Sequence, residues 1–258
     1  MSFTQLKEIG TGFWNLRASF KLLGGMVDIG THMSFIRLES GKILVIDTCN
    51  VGADAKAEID QLTDNGNLIE AVIATHPYHT LAFVPFFKLY PQAKYYGTPR
   101  HCKVITEIEW SGDVNDTAIR EIWEPEVYMR IPAGSDFATP GPNNHFSNVF
   151  VFHKKSKTIH NDDTIMYTTS AGCLARAAGV KSNCFQFHLS LKSVGLYPTA
   201  EAPLEFKAWV QSIISDWDFD NLCSAHNGVK IGGAKAMLEA ALVDATPVLE
   251  SLSNKHKK

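Results

Sequence analysis

Several residues that can bind a metal or transfer a proton stand directly after apolar runs of the sequence. The four clearest are Asp47, His76, Asp163 and His226. Each falls at or just after the C-terminal end of a predicted strand, and in α/β sheets the loops at that edge converge on one crevice. His79 and His145 lie in loops that could reach the same edge. Three or four imidazoles with one or two carboxylates form a donor set that suits Zn, Fe or Mn better than Mg or Ca.

The elements that must position these residues alternate between strand and helix in the first half of the chain. The run Ile43-Leu44-Val45-Ile46 is continuously apolar, which is typical of a strand buried on both faces. The predicted strands cover residues 33–38, 42–47, 69–74 and 94–97, and the predicted helices cover residues 53–63 and 81–89. This alternation predicts an α/β architecture with a largely parallel sheet.

The second half predicts a hairpin followed by a helix, a strand and a helix. The hairpin joins strands at 148–153 and 158–167 around the basic turn 154–157, and its second strand is expected to run through Asn161-Asp162-Asp163. Helices are predicted near 203–216 and 232–249, a strand is predicted at 222–225, and the tail Asn254–Lys258 is expected to fray. Residues 110–123 show no clear pattern. Because no Pro/Gly/Ser-rich linker divides the chain, we expect one domain over residues 1–258.

Composition and charge exclude several classes of protein. Of the 258 residues 45% are hydrophobic and 20% are charged, which excludes a disordered chain. The formal charge of -3 argues against a nucleic-acid surface, and no apolar run reaches the roughly 18 residues of a membrane span. The cysteines form no CxxC pair, as expected for reduced thiols: Cys49, Cys102, Cys173, Cys184 and Cys223. We therefore expect a cytoplasmic protein with a small-molecule substrate and no nucleic-acid or membrane partner. On base rates alone it would be a homodimer.

The order of the polar motifs resembles that of the metallo-β-lactamase fold hydrolases from about residue 30 to 230. In chain order the matching segments are Val45-Ile46-Asp47-Thr48, Ala74-Thr75-His76-Pro77-Tyr78-His79-Thr80-Leu81, Asn143-Asn144-His145-Phe146-Ser147, Thr158 to Asp163, and Ser224-Ala225-His226-Asn227-Gly228. The resemblance implies a four-layer αββα sandwich with a two-metal site at one sheet edge.

The chain departs from the family's His-x-His-x-Asp-His motif. Only His76 matches it, because Tyr78, Thr80 and Leu81 stand where a His, an Asp and a His are expected. His79 lies one place out of register and could supply a ligand after a local shift. The resemblance therefore implies a degenerate branch of the superfamily with a reduced, mononuclear site.

Three functions follow from these residues and the resemblance. The first is a metal-dependent hydrolase in which a metal-bound hydroxide attacks an ester, lactone, thioester or phosphoester. Its ligands would come from the set His76, His79, His145, Asp163 and His226, with Asp47 or Asp163 as base. Zinc is the expected metal, and iron or manganese are the alternatives. The second function is a catalytically degenerate binding or scaffold module that holds no metal. A mononuclear iron protein with redox chemistry is a third alternative.

The remaining polar residues have plainer interpretations. Asp162 is a close rival of Asp163, and the order of motifs favours Asp163. Cys49 would need a nearby source of positive potential to act as a nucleophile. The other histidines are expected on strands or surfaces, with His153 in solvent: His32, His101, His153, His160 and His188.

Overall fold

Two β-sheets face each other in the computed structural model, which describes residues 5–22, 24, 27–169, 181–226 and 228–257. The expectations for Cys173, for Asn227 and for the last residue of the tail, Lys258, lie outside the described residues. The strands of the first half are β1 (Lys7–Gly10), β2 (Phe13–Ala18), β3 (Lys21–Leu22), β4 (Val27–Asp28), β5 (Thr31–Arg37), β6 (Ile43–Ile46), β7 (Ile69–Ile73), β8 (Lys94–Gly97) and β9 (Trp110–Asp113). Those of the second half are β10 (Val127–Arg130), β11 (Phe150–His153), β12 (Thr158–Asn161), β13 (Ile165–Thr168), β14 (Cys184–Phe187), β15 (Asn221–Ser224) and β16 (Val229–Lys230).

Six α-helices lie within the described ranges. They are α1 (Ala53–Thr63), α2 (Phe83–Leu89), α3 (Pro99–Val104), α4 (Thr117–Arg120), α5 (Ala202–Asp216) and α6 (Ala234–Lys255), and a 3₁₀ turn covers Leu189–Lys192. The predicted bounds of α1 and β8 agree with the observed ones. The expectation of a frayed tail is wrong for Asn254 and Lys255, because α6 continues to Lys255. Ser253 in its last turns is buried and donates a hydrogen bond of 2.6 Å to the carbonyl of Ala200.

The first sheet has the strand order β1-β2-β5-β6-β7-β8-β9. The pairs from β6 to β9 are parallel, but β1, β2, β5 and β6 pair in antiparallel fashion. The sheet is therefore mixed rather than largely parallel as predicted, because a hairpin from the unassigned N-terminal residues extends it. Residues 110–123 supply the edge strand β9 and the short helix α4.

The second sheet has the order β10-β11-β12-β15-β16, and β12 and β15 are parallel. The predicted single strand at 158–167 is wrong, because the chain leaves this sheet after Asn161. The side chain of Asn161 both accepts a hydrogen bond from the amide of Ile165 and donates one to its carbonyl, at 3.1 and 2.7 Å. This clamp closes the loop Asp162–Thr164, and β13 then pairs with β14 in a separate two-stranded sheet.

Alternation of side chains along the strands divides the core into three layers. In β6, Ile43 and Val45 pack outward with α1 and α2, whereas Leu44 and Ile46 pack between the two sheets. The outer face of the second sheet packs on α5 and α6 through Phe206 and its neighbours. Helices therefore cover both outer faces, and the predicted αββα sandwich is confirmed. No described helix is long and apolar enough to span a membrane.

Candidate metal centre

The candidate site lies where two pairs of parallel strands end. Asp47 follows β6, His76 lies just beyond β7, Asp163 follows β12 and His226 follows β15. Asp47 adopts a left-handed backbone conformation with φ of 56°, and its Oδ1 accepts the amide of Thr48 at 2.7 Å. Asp tolerates that conformation better than most residues. The parallel pairing within each sheet therefore brings these four residues to one edge, as the strand pattern predicted.

Asp163 is the common neighbour of three imidazoles. Its Oδ2 lies 3.4 Å from Nε2 of His76 and 3.8 Å from Nε2 of His79, and its Oδ1 lies 3.2 Å from Nε2 of His226. Burial raises the pKa of Asp163, but His226, His76 and His79 outweigh that effect and hold it below its usual value. Asp163 is therefore a carboxylate, yet its buried Oδ1 has no hydrogen-bond partner.

The tautomer of His226 explains the unpaired oxygen. Nδ1 of His226 lies 2.7 Å from the carbonyl oxygen of Gly30, so this nitrogen carries the proton and donates it. In the neutral imidazole Nε2 then presents a lone pair to Oδ1 of Asp163. Two acceptors thus face each other across 3.2 Å, an arrangement that requires a proton or a cation between them.

His79 lies among three buried carboxylates. Its Nδ1 is 2.7 Å from Oδ2 of Asp47 and 3.6 Å from Oδ1 of Asp162, while its Nε2 faces Asp163. Burial lowers the pKa of His79, but Asp47 and Asp162 reverse this effect and raise it to about 10. His101 is buried and places its Nε2 3.2 Å from the carbonyl oxygen of His79, which fixes the backbone of this loop.

His76 and His145 form a stack beside the carboxylate. Burial lowers the pKa of His76 to about 3, so this imidazole is neutral at pH 7. Its Nδ1 accepts the amide of Tyr78 at 3.2 Å, and its Nε2 lies 3.3 Å from the carbonyl oxygen of His145. The ring of His145 stacks on His76 at a centroid distance of 5.7 Å. Within the described residues, neither His145 nor His226 belongs to any of the three groups of donors that lie within 4.8 Å of one another.

A second, fully buried cluster adjoins the first one and was missed at the sequence level. Asp162 accepts a hydrogen bond of 2.6 Å from the hydroxyl of Thr75, and its Oδ1 lies 3.3 Å from Nε2 of His32 and 3.5 Å from Nε2 of His160. The rings of His32 and His160 stack at 4.1 Å. Strand alternation gave the available signal, because His32 and His160 both belong to the inner face of their strands.

Three carboxylates in one buried region carry more negative charge than His79 alone can neutralise. Burial raises the pKa of Asp47 to about 6, which leaves it largely ionised at pH 7. Burial also raises the pKa of Asp162, but His79, His160 and His32 outweigh this effect and hold it well below its usual range. Asp47, Asp162 and Asp163 thus lie around the imidazolium of His79, and three carboxylates so close together favour a bound cation.

The fit of a metal can be judged from the ring nitrogen of each histidine that would not bind the metal. Metal-binding histidines usually donate their other N–H to a carboxylate or a carbonyl. His79 and His226 meet this condition, through Asp47 and Gly30. His32 does not, because its Nδ1 faces the side-chain amide nitrogen of Asn15 at 3.1 Å. The residues around Asp163 therefore fit a metal, and those around His32 fit a proton-bearing network.

Two expectations for other residues are settled by burial. His153 is not in solvent, since it is 1% exposed and lies 2.9 Å from the hydroxyl of Ser156. The hairpin packs against the first sheet, and the ring of Phe13 stacks on His153 at 6.3 Å. Burial raises the pKa of Cys49 to about 12, which leaves this thiol protonated. Cys49 therefore has no thiolate with which to act as a nucleophile.

Comparisons with known proteins give a consistent architecture. No family model matches the sequence, and no curated protein matches it. A metallo-β-lactamase from Hirschia baltica is 14% identical over 92% of this chain and 95% of its own, with a TM-score of 0.58. The metallo-β-lactamase FIM-1 from Pseudomonas aeruginosa, in its mono-zinc form, is 11% identical over 97% of this chain and 94% of its own, with a TM-score of 0.57. A metallo-β-lactamase from Erythrobacter litoralis is 14% identical over 94% and 92%, with a TM-score of 0.55. The chain described here therefore has the metallo-β-lactamase fold.

Proposed function

We propose that this protein is a metal-dependent hydrolase of an ester, lactone, thioester or phosphoester, with a single metal at the Asp163 cluster. The observation that carries the proposal is the buried Oδ1 of Asp163, which makes no hydrogen bond although Nε2 of His226 lies 3.2 Å away. The fold shared with FIM-1, a protein crystallised in a mono-zinc form, supports a site with one metal.

Asp163, His79 and His226 are the ligands we assign first, because the far nitrogens of both histidines already donate to an oxygen acceptor. His76 joins them after giving up the hydrogen bond from the amide of Tyr78. His145 is the remaining candidate. Imidazole and carboxylate donors suit zinc, with iron or manganese as alternatives. When bound, the metal supplies Lewis-acid activation of water at neutral pH.

The chain's own carboxylates would divide their roles. Both oxygens of Asp47 are engaged, one by Thr48 and the other by His79, and the side chain is fully buried. We therefore assign Asp47 to the orientation of His79 and not to proton transfer with substrate. Oδ1 of Asp163 faces His226 where we place the metal, so Asp163 is the carboxylate we place at the reacting groups, as a metal ligand.

A binding or scaffold module without metal is the second candidate, and one observation favours it. His79, with its pKa raised to about 10 by Asp47 and Asp162 against the opposing effect of burial, already places a positive charge among the three carboxylates. An internal cation of this kind could replace the metal altogether.

Elemental analysis of protein purified without chelator or added metal separates the two functions. The proposal expects near one equivalent of zinc, iron or manganese, lost in His226→Ala and retained in His256→Ala, a matched change at an exposed residue. The loaded protein should hydrolyse a member of a panel of esters, lactones, thioesters and phosphoesters, and His226→Ala should not. A folded protein with less than a tenth of an equivalent, unchanged after incubation with zinc, would refute the metal site and favour the scaffold. Stoichiometric metal without hydrolysis would refute the hydrolase alone.

A further inference from the structure

One buried cation lies beside the candidate centre without an acidic partner. Arg17 on β2 is 7% exposed, and within the described residues no carboxylate lies at ion-pair distance from its guanidinium. Its pKa is lowered by burial, which the nearby thiols Cys223 and Cys49 only partly offset. Burial of a charge without a counter-charge is costly, and the cost is acceptable only when hydrogen bonds to the charged group are well made.

Those hydrogen bonds all cross from one sheet to the other. Nη1 of Arg17 donates to the carbonyl of Ser224 and Nη2 donates to the carbonyl of Ala225, both at 2.9 Å. These two peptide groups come directly before His226, at the point where β15 ends. Arg17 therefore holds the backbone from which the imidazole of His226 projects.

A second interaction that fixes His226 is made by Gly30, at the same edge of the first sheet. The carbonyl of Gly30 accepts the proton of Nδ1 at 2.7 Å, and Gly30 has a positive φ of 69°. A Cβ added at Gly30 would lie 3.9 Å from Nη2 of Arg17, so the two groups are neighbours. Arg17 thus fixes the backbone that precedes His226, and Gly30 fixes its imidazole ring. Together they orient Nε2 of His226 toward Asp163.

We infer that Arg17 is a positioning residue, which sets the tautomer and the aim of His226 by bracing the carbonyls of Ser224 and Ala225 across the sandwich. The part of this inference that concerns metal affinity rests on the proposed function, whereas the part that concerns the tautomer does not. Arg17 donates two hydrogen bonds, one from each terminal nitrogen of its planar guanidinium, to two carbonyls at once. Lysine has a single ammonium group and does not match this geometry, which explains why an arginine occupies this position.

The test compares Arg17→Met and Arg17→Lys with Arg130→Met, a matched removal of a guanidinium that pairs with Asp216 elsewhere on the second sheet. Long-range ¹H–¹⁵N correlation spectra of the chelated protein report which nitrogen of each histidine carries the proton, and His226→Ala identifies the signal. The wild type and Arg130→Met should show the Nδ1–H form at His226. Arg17→Met should shift His226 toward a mixture of tautomers, and zinc titration should show an affinity about 10- to 100-fold weaker.

Each outcome decides between positioning and plain structural support. Loss of thermal stability alone, with an unchanged tautomer and unchanged zinc affinity in folded Arg17→Met, would overturn the inference. If Arg17→Met does not fold, Arg17→Lys is read in the same way, and an unchanged tautomer there overturns the inference as well. A wild type that binds no zinc refutes the proposed metal site but leaves the tautomer measurement as a valid test of Arg17.

Discussion

Replacing His79 by glutamine should destabilise the metal-free protein by an amount that depends strongly on pH. The amide of His79→Gln can still donate to Asp47, but it carries no charge toward Asp162 and Asp163. The imidazole is 16% exposed, so solvent screens these contacts only weakly. Removing one partner from a buried set of charges typically costs about 3–5 kcal/mol.

The pH dependence follows from the pKa of His79. Burial lowers this pKa, but Asp47 and Asp162 outweigh burial and raise it to about 10. The unfolded value is near 6.5, so the stabilisation is complete below about pH 6.5 and is lost as the pH rises through the folded value. Linkage over this interval gives about 4 kcal/mol at pH 7 and only about 1.4 kcal/mol at pH 9. The cost of His79→Gln should therefore fall by about 2.5 kcal/mol between these two pH values.

Urea unfolding of chelated protein at pH 7, 8 and 9 measures this cost. His153→Gln is the control, because burial lowers the pKa of His153 to about 4 and keeps this histidine neutral throughout the range. Its cost should be the same at all three pH values. A cost of His79→Gln that does not change with pH would show that His79 is neutral in the folded protein, and the account of the site as a compensated charge cluster would then be wrong.

Three further changes test other parts of the structure. Burial lowers the pKa of His153 to about 4, so the folded protein loses stability as the pH falls below about 6.5. His153→Phe should remove about 2 kcal/mol of that loss between pH 7 and 5, as measured by urea unfolding. Asn161→Ala breaks the clamp on Ile165 and should lower the free energy of unfolding by about 1–3 kcal/mol, with weaker zinc binding. Gly134→Ala places a Cβ against the carbonyl oxygen of Ala202 at a φ of 73° and should lower the free energy of unfolding by about 1–3 kcal/mol. Gly141→Ala, whose added Cβ meets no atom within 4 Å, should change it little.

The central strands of the first sheet were predictable because they are largely apolar runs. Ile43–Ile46 is buried throughout and Ile69–Ile73 is buried except at the half-buried Glu70, and such runs indicate both the strand and the edge at which it ends. The N-terminal hairpin was not predictable in the same way. Phe13–Ala18 alternates polar and apolar residues with Asn15 and Arg17 on its inner face, so its pattern suggests a half-exposed strand although most of it is buried.

The polar cluster between the sheets shows why part of the site could not be read from one strand at a time. His32 and His160 each occur alone on their strands and have the spacing of ordinary core or surface positions. Their contact arises only because β5 and β12 belong to different sheets that face each other, and their shared partner Asp162 follows a kink that the sequence pattern did not indicate. Strand alternation indicates which face of its strand each histidine occupies, but not that the two faces meet.

Competition between a proton and a metal at His79 tests whether this histidine is a ligand. A histidine must be neutral to bind a metal, so a metal that enters through Nε2 must displace the proton held there at pH 7. Because the pKa of His79 is raised to about 10, chiefly by Asp47 and Asp162 against the effect of burial, zinc binding at pH 7 should release about one proton from this residue. Titration calorimetry in buffers of different ionisation enthalpy counts that proton, and His79→Gln should bind zinc more weakly and release none. Zinc binding that releases no proton in the wild type would place the metal away from His79, leave its imidazolium as a permanent internal cation, and refute the assignment of His79 as a ligand.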